Sequence, residues 1–150
     1  MFTEQIKKQH EQIKKALREL QEDVYNVEEL SRNALWIALK MGNLSGILTV
    51  HLKFEDDYLY PCLLENNVGG ARQIAKEVLD KIGELADTFK AYQKKYLLSP
   101  NIISEQAERF RDDTLQIIAA ILERIETEER DIYNFAGGTV CFRPGVYKRV

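Results

Sequence analysis

Apolar residues recur along this chain in steps of three and four, the repeat that gathers side chains onto one face of an α-helix. The first series, Ile6, His10, Ile13, Leu17, Leu20 and Val24, predicts an amphipathic helix from about Thr3 to Tyr25. Asn26-Val-Glu-Glu29 then reads as a capping box whose side chains satisfy the free backbone N–H groups opening a second helix. The seam of that helix is long: Leu30, Ala34, Ile37, Met41, Leu44, Leu48, His51, Glu55, Tyr58 and Cys62. Gly42 and Gly46 interrupt it at about 1 kcal/mol each relative to Ala, a place for a bend, and Pro61 ends it or kinks its last turn. After a loop at Asn66 to Gly70, a third helix runs near Ala71 to Tyr96 with Ile74, Val78, Ile82, Leu85, Phe89 and Tyr92 inward, and Ser99-Pro100 breaks it. The fourth, from about Ser104 to Phe135, carries Ala107, Phe110, Thr114, Ile117, Ile121, Arg124 and Glu128 on one stripe. Ile118, Leu122, Ile125, Glu129 and Ile132 lie beside it, and Gly137-Gly138 stops the helix.

Four long amphipathic helices with short connections predict an all-α, up-down-up-down four-helix bundle over residues 1–136, followed by a short C-terminal tail at 137–150. A length of 150 residues supports one hydrophobic core and is too short for two. The net charge of -3, with Lys and Arg scattered among acids, provides no basic field for nucleic acid. No basic and apolar leader opens the chain and no apolar run approaches the ~18 residues of a membrane span, so a cytoplasmic protein without a membrane partner is expected. Cys62 and Cys141 are far apart without CxxC spacing; Cys62 reads as a small buried hydrophobe, and the tail with Cys141 as docked on its own bundle.

Polar residues on core seams need an explanation, because a buried charge without a partner is costly. There are five here: His10, His51, Glu55, Arg124 and Glu128. His51 and Glu55 are one helical turn apart on one face, where imidazole and carboxylate can grip one ion. Together with His10 and Glu128 they make a ligand set suited to iron, manganese or zinc. Each element also has a plainer reading. An inward His can be a hydrogen-bonded core residue, Arg124 and Glu128 can be an ordinary i, i+4 ion pair at the rim, and Tyr58, Tyr60 and Tyr133 can simply pack. Ferritin-like chemistry is set aside, since it uses Glu-x-x-His pairs and the residues three before the histidines are Lys7 and Leu48. No phosphate loop, dinucleotide fingerprint or Ser-His-Asp constellation occurs.

Over roughly residues 3 to 135 the chain resembles the hemerythrin-like family of HHE cation-binding domains. The family's His-x-x-x-Glu followed by an aromatic or apolar residue and Pro is matched by His51, Glu55, Leu59, Tyr60 and Pro61, and its first-helix histidine by His10. The fourth helix of the family reads His-Ile-x-x-Glu-Glu; here Arg124-Ile125-Glu126-Thr127-Glu128-Glu129 keeps the carboxylate and loses the histidine. Its third helix has at least one His, where this chain has Leu79, or Val78 in a shifted register.

In the family's di-iron site, the resemblance implies, one metal takes the histidines of the first two helices, the other those of the last two, and two carboxylates bridge. This chain keeps the ligands of the first metal, His10, His51, Glu55 and Glu128, with Glu129 as the fallback for a register slip. Arg124 occupies a lost position, where its guanidinium can replace part of the missing charge; Glu129 and Tyr58 are expected beside it around the ligands. The expectation is a half-site holding one transition-metal ion, iron before manganese or zinc, that serves as a sensor or binding module for a small diatomic ligand instead of a di-iron oxygen carrier. The competing readings are a metal-free bundle, with no cofactor, serving a protein partner or homodimer, and a small non-haem metal oxidoreductase. A binding role is favoured over an enzymatic one.

Overall fold

A computed structural model describes residues 2–66, 70–98 and 101–133, and every regular element among them is helical. Helix α1 spans Phe2–Tyr25, and Asn26 then accepts hydrogen bonds from the backbone N–H groups of Glu28 and Glu29 to cap α2, Val27–Arg32. The expected long second helix is divided at Asn33, and α3 begins afresh at Ala34 and runs to Phe54 straight through Gly42 and Gly46. A wide π-helical turn, Glu55–Leu59, leads into α4, Tyr60–Asn66. Pro61 therefore does not end the helix. It has no N–H to offer the preceding turn, and the wide turn before it accommodates that loss, closing with the Tyr60 N–H on the Glu55 carbonyl.

Gly70, in the left-handed region at φ 84°, turns the chain into α5, Ala71–Ile82. The third rod breaks at Gly83, whose N–H approaches the Leu79 carbonyl so closely that a Cβ would stand 2.5 Å from that oxygen. It resumes as α6, Leu85–Tyr96. Next come α7, Asn101–Glu105, and α8, Ala107–Thr127, which passes into a second π-helical turn, Glu128–Tyr133. The expected break at Ser99-Pro100, the stop at Gly137-Gly138 and the tail at 137–150 lie outside the described residues.

The four rods close into a ring: α1 packs on α3 and α8, and α6 packs on the same two. Their cross-links run in opposite directions along neighbouring rods. Lys40 and His51 of α3 reach Asp23 and Gln9 of α1, and Tyr92 and Tyr96 reach Thr114 and Asp113. This is the up-down-up-down bundle that the periodicity predicts.

The first and fourth seams are buried as expected, from Ile6 to Val24 and from Ala107 to Glu128. The second seam holds down to Glu55 and then slips by one residue. Leu59, Tyr60 and Leu63 are buried, whereas Tyr58 and Cys62 are only half-buried, because the π turn inserts a residue and rotates the helix beyond it. Cys62 is disulfide-bonded, which corrects its reading as a lone buried hydrophobe. On the third rod Ala75 and Val78 face the core; Ile74 and Leu79 are half-buried, so Val78 holds the inward position. A second correction concerns hydropathy: Ala34–Glu65 contains an 18-residue window of mean hydropathy 1.2, long and apolar enough to cross a membrane by length and composition. Its inner face is nonetheless part of the core, through Ile37, Met41, Leu44, Leu48 and Leu52.

Candidate metal centre

Two apolar clusters fill the bundle, and a polar layer separates them. On α1, His10 lies between Ile6 of one cluster and Ile13 of the other; Glu55 lies likewise between Leu59 and Leu52, and Glu128 between Ile132 and Ile125. All of His10, His51, Glu55, Arg124 and Glu128 are buried, with Arg124 only 1% exposed. Both carboxylates open a π turn, Glu55 the first and Glu128 the second. Such turns are frequent at functional sites, where the widened helix re-aims a side chain.

One flank of the layer is built from imidazoles. His10 Nδ1 lies 3.1 Å from Glu129 Oε1, and His51 Nδ1 lies 2.9 Å from Gln9 Oε1. Both partners accept, so each Nδ1 can donate its ring proton to them. The two Nε2 atoms face one another at 2.8 Å. Glu55 Oε2 completes the group, 3.1 Å from His51 Nε2 and 3.9 Å from His10 Nε2. Two ring nitrogens and a carboxylate oxygen this close need a proton or a metal cation among them. Lys14 Nζ braces the arrangement at 2.9 Å from Glu129 Oε1, and Lys14 with His10 holds the Glu129 carboxyl below its usual range against the upward push of partial burial.

The spacing fits a metal. Two nitrogen ligands about 2.0–2.1 Å from one ion are about 2.9 Å apart at right angles and about 3.3 Å apart in a tetrahedron. The 2.8 Å and 3.1 Å edges lie near these figures, and the 3.9 Å edge from His10 to Glu55 is longer. One ligand atom from each of His10, His51, Glu55 and Glu128 lies within 4.8 Å of all the others. The contacts at Nδ1 are of the kind that fix the ring orientation and tautomer of ligating histidines.

The other flank carries its own cation. Arg124 Nη2 lies 3.1 Å from Glu55 Oε1 and 2.9 Å from Asp56 Oδ1, while Nε lies 3.3 Å from Glu128 Oε2. The Tyr60 hydroxyl donates to the same Glu128 oxygen at 2.8 Å, and the guanidinium sits 5.8 Å from the Tyr60 ring centre. Glu128 Oε1 has no hydrogen-bond partner among the described residues. Burial opposes ionisation of Glu55, but the two imidazoles and Arg124 outweigh it and hold this carboxyl well below the usual range. Glu128 moves the opposite way, pushed well above by burial and then by the charge on Glu55, against Arg124. Without a further cation the two carboxyls favour one negative charge over two. Burial and then the Glu128 and Glu55 charges raise the Tyr60 phenol, so it remains a donor.

All four expected ligands are thus brought together, with Arg124 and Glu129 beside them. Burial removes the reading of Arg124 and Glu128 as a rim pair. Tyr58 is not where the pattern put it: its half-buried ring lies 6.1 Å from Phe54, and the π turn brings Tyr60 to the site in its stead. Gln9, Lys14 and Asp56 were not expected. Lys14, one turn after His10, was findable from spacing; Gln9 and Asp56 reach the site only through helix packing and the π turn.

The model of the hemerythrin HHE cation-binding domain matches residues 1–136. No curated protein and no solved structure matches the chain significantly. A family match over nearly the whole chain, joined to a buried His and Glu cluster in a helical bundle, means that the chain belongs to the hemerythrin HHE cation-binding family.

Proposed function

We propose that His10, His51, Glu55 and Glu128 hold one transition-metal ion, iron before manganese or zinc, and that Arg124 stands where a second metal would. The facing pair of Nε2 atoms, 2.8 Å apart with both Nδ1 atoms engaged elsewhere, carries this reading. On the other flank Arg124 already sets a cation against Glu55 and Glu128, in the place that a second ion would take. A bound ion held by these four residues would supply a Lewis acid for a small ligand and, as iron or manganese, redox chemistry as well. The surrounding residues do the rest: Gln9 and Glu129 fix the imidazoles, Tyr60 and Arg124 fix Glu128, and the apolar layers exclude water. Dioxygen carriage of the di-iron kind draws one electron from each of two metals, so a one-metal site suits a sensor or binding module for a diatomic ligand, a metal or redox state. A second reading, a metal-free bundle, is favoured by one observation: Arg124 already pairs with three carboxylates.

Elemental analysis after anaerobic loading with iron(II) tests the proposal. One ion per chain is expected, and His10→Ala or His51→Ala should each reduce it to near zero with far-UV circular dichroism unchanged. Two ions would overturn the half-site, and none would establish the metal-free bundle. Turnover of oxygen, peroxide or nitric oxide by the loaded protein would move it into the oxidoreductases.

A further inference from the structure

Helix α3 is apolar on both faces, and among the described residues only one of them is packed within the chain. Inward go Ile37, Met41, Leu44 and Leu48. Outward stand Leu35 at 79% exposure, Trp36 at 61%, Leu39 at 60%, Ile47 at 41% and Val50 at 67%. Between them lie Gly42 and Gly46, both exposed, with nothing within 4 Å of the place a Cβ would take. Glycine in a helix interior costs about 1 kcal/mol relative to alanine, and no close contact among the described residues accounts for either one. From Ala34 to Leu52 the only acidic or basic side chain other than His51 is Lys40, which is engaged with Asp23 at 2.8 Å.

We infer that this outer face is the interface of a two-fold dimer with a second copy of the chain. The face has no charge with which to recognise a charged partner, but it is complementary to itself. An antiparallel two-fold near Gly42 and Gly46 sets the glycines of one copy against those of the other, so that the backbones approach closely. It also lays Leu35, Trp36 and Leu39 of each copy over Ile47 and Val50 of its mate. The side chains present on the order of 600 Å² of apolar surface, the upper end for a monomer's largest patch and near the ~800 Å² per partner of a stable interface. A lipid bilayer fits less well. The helix cannot leave the bundle without exposing His51 and its core seam, and a helix lying on a membrane needs the rim of free Lys and Arg that this one lacks.

The chain's only tryptophan is Trp36, which makes the test direct. Sedimentation equilibrium should give twice the chain mass, and Trp36 emission should shift to the red on dilution through the dissociation range. Leu39→Glu and Gly46→Leu should each weaken the dimer by at least about 30-fold, with far-UV circular dichroism and metal content unchanged. A wild-type monomer with red, concentration-independent Trp36 emission overturns the inference. So does a dimer indifferent to both substitutions, or a blue shift obtained only by adding phosphatidylcholine vesicles. Metal content is read separately, so the dimer and the metal site can fail independently.

Discussion

On one flank of the polar layer His10 and His51 turn their Nε2 atoms toward each other; on the other, Arg124 fills the space among Glu55, Asp56 and Glu128. Both flanks are buried in the same bundle between the same apolar clusters. They differ in where the positive charge comes from. The arginine flank has its cation attached by a covalent stem, so its charge balance is a property of folding. The histidine flank has no fixed cation between its two Nε2 atoms, so its balance depends on a proton or an ion placed there. A bundle that gathers imidazoles and carboxylates in one buried layer can therefore balance part of that layer with a guanidinium of the right reach.

The largest effect should come from breaking the fixed flank. Arg124→Ala leaves Glu55 and Glu128 facing each other without their cation, and urea denaturation of the metal-free protein should show a loss of about 3 kcal/mol or more. Arg124→Lys keeps the charge but not the planar fork, so it should recover only part of that loss. A neutral Arg124→Ala would mean the two flanks do not differ in the way described.

Gln9 sharpens the comparison from the other side. Its oxygen accepts from His51 Nδ1, and contacts of this kind are worth about 10–100-fold in metal affinity. Gln9→Ala should weaken the ion by that factor in chelator competition while lowering metal-free stability by no more than about 1.5 kcal/mol, the worth of one hydrogen bond. An equal loss of stability without loss of affinity would make Gln9 a packing residue.

The smallest effect belongs to a carboxylate away from the layer. Partial burial pushes the Asp113 carboxyl up, but hydrogen bonds from Tyr96 and Lys95 outweigh it and hold the group below its usual 3.8. A depressed folded-state value stabilises the fold above 3.8, and that contribution is lost as pH falls through the depressed value. Asp113→Asn should cost under about 1 kcal/mol at neutral pH, the pair being partly exposed and screened, and the difference from wild type should vanish in acid. A gap that persisted in acid would assign the effect to lost hydrogen bonds instead of charge.

Much of the molecule was readable along the chain. The seams through His10, His51, Glu55, Arg124 and Glu128 put five polar side chains into the core, and the structure buries all five. The Asn26 cap was equally legible, because capping depends on residues only two and three positions away. Legibility failed beyond Glu55. A periodicity of 3.6 assumes an unbroken α-helix, and the π turn changes the phase, exchanging Tyr58 for Tyr60 and Cys62 for Leu63. It failed also at Asn33 and Gly83, where apolar spacing continues across a break in the helix.

Sequence alone thus determined the helical periods, the polar residues that lie on them and the absence of histidine on the third rod, since each is a property of residue type and local spacing. Tertiary structure decided which nitrogen of each imidazole is spoken for, because Gln9 and Glu129 reach their partners across 42 and 119 positions of chain. It decided also that Arg124 spans Glu55, Asp56 and Glu128, because that depends on the closeness of two rods and on a helix widened by one residue just where a carboxylate must turn inward.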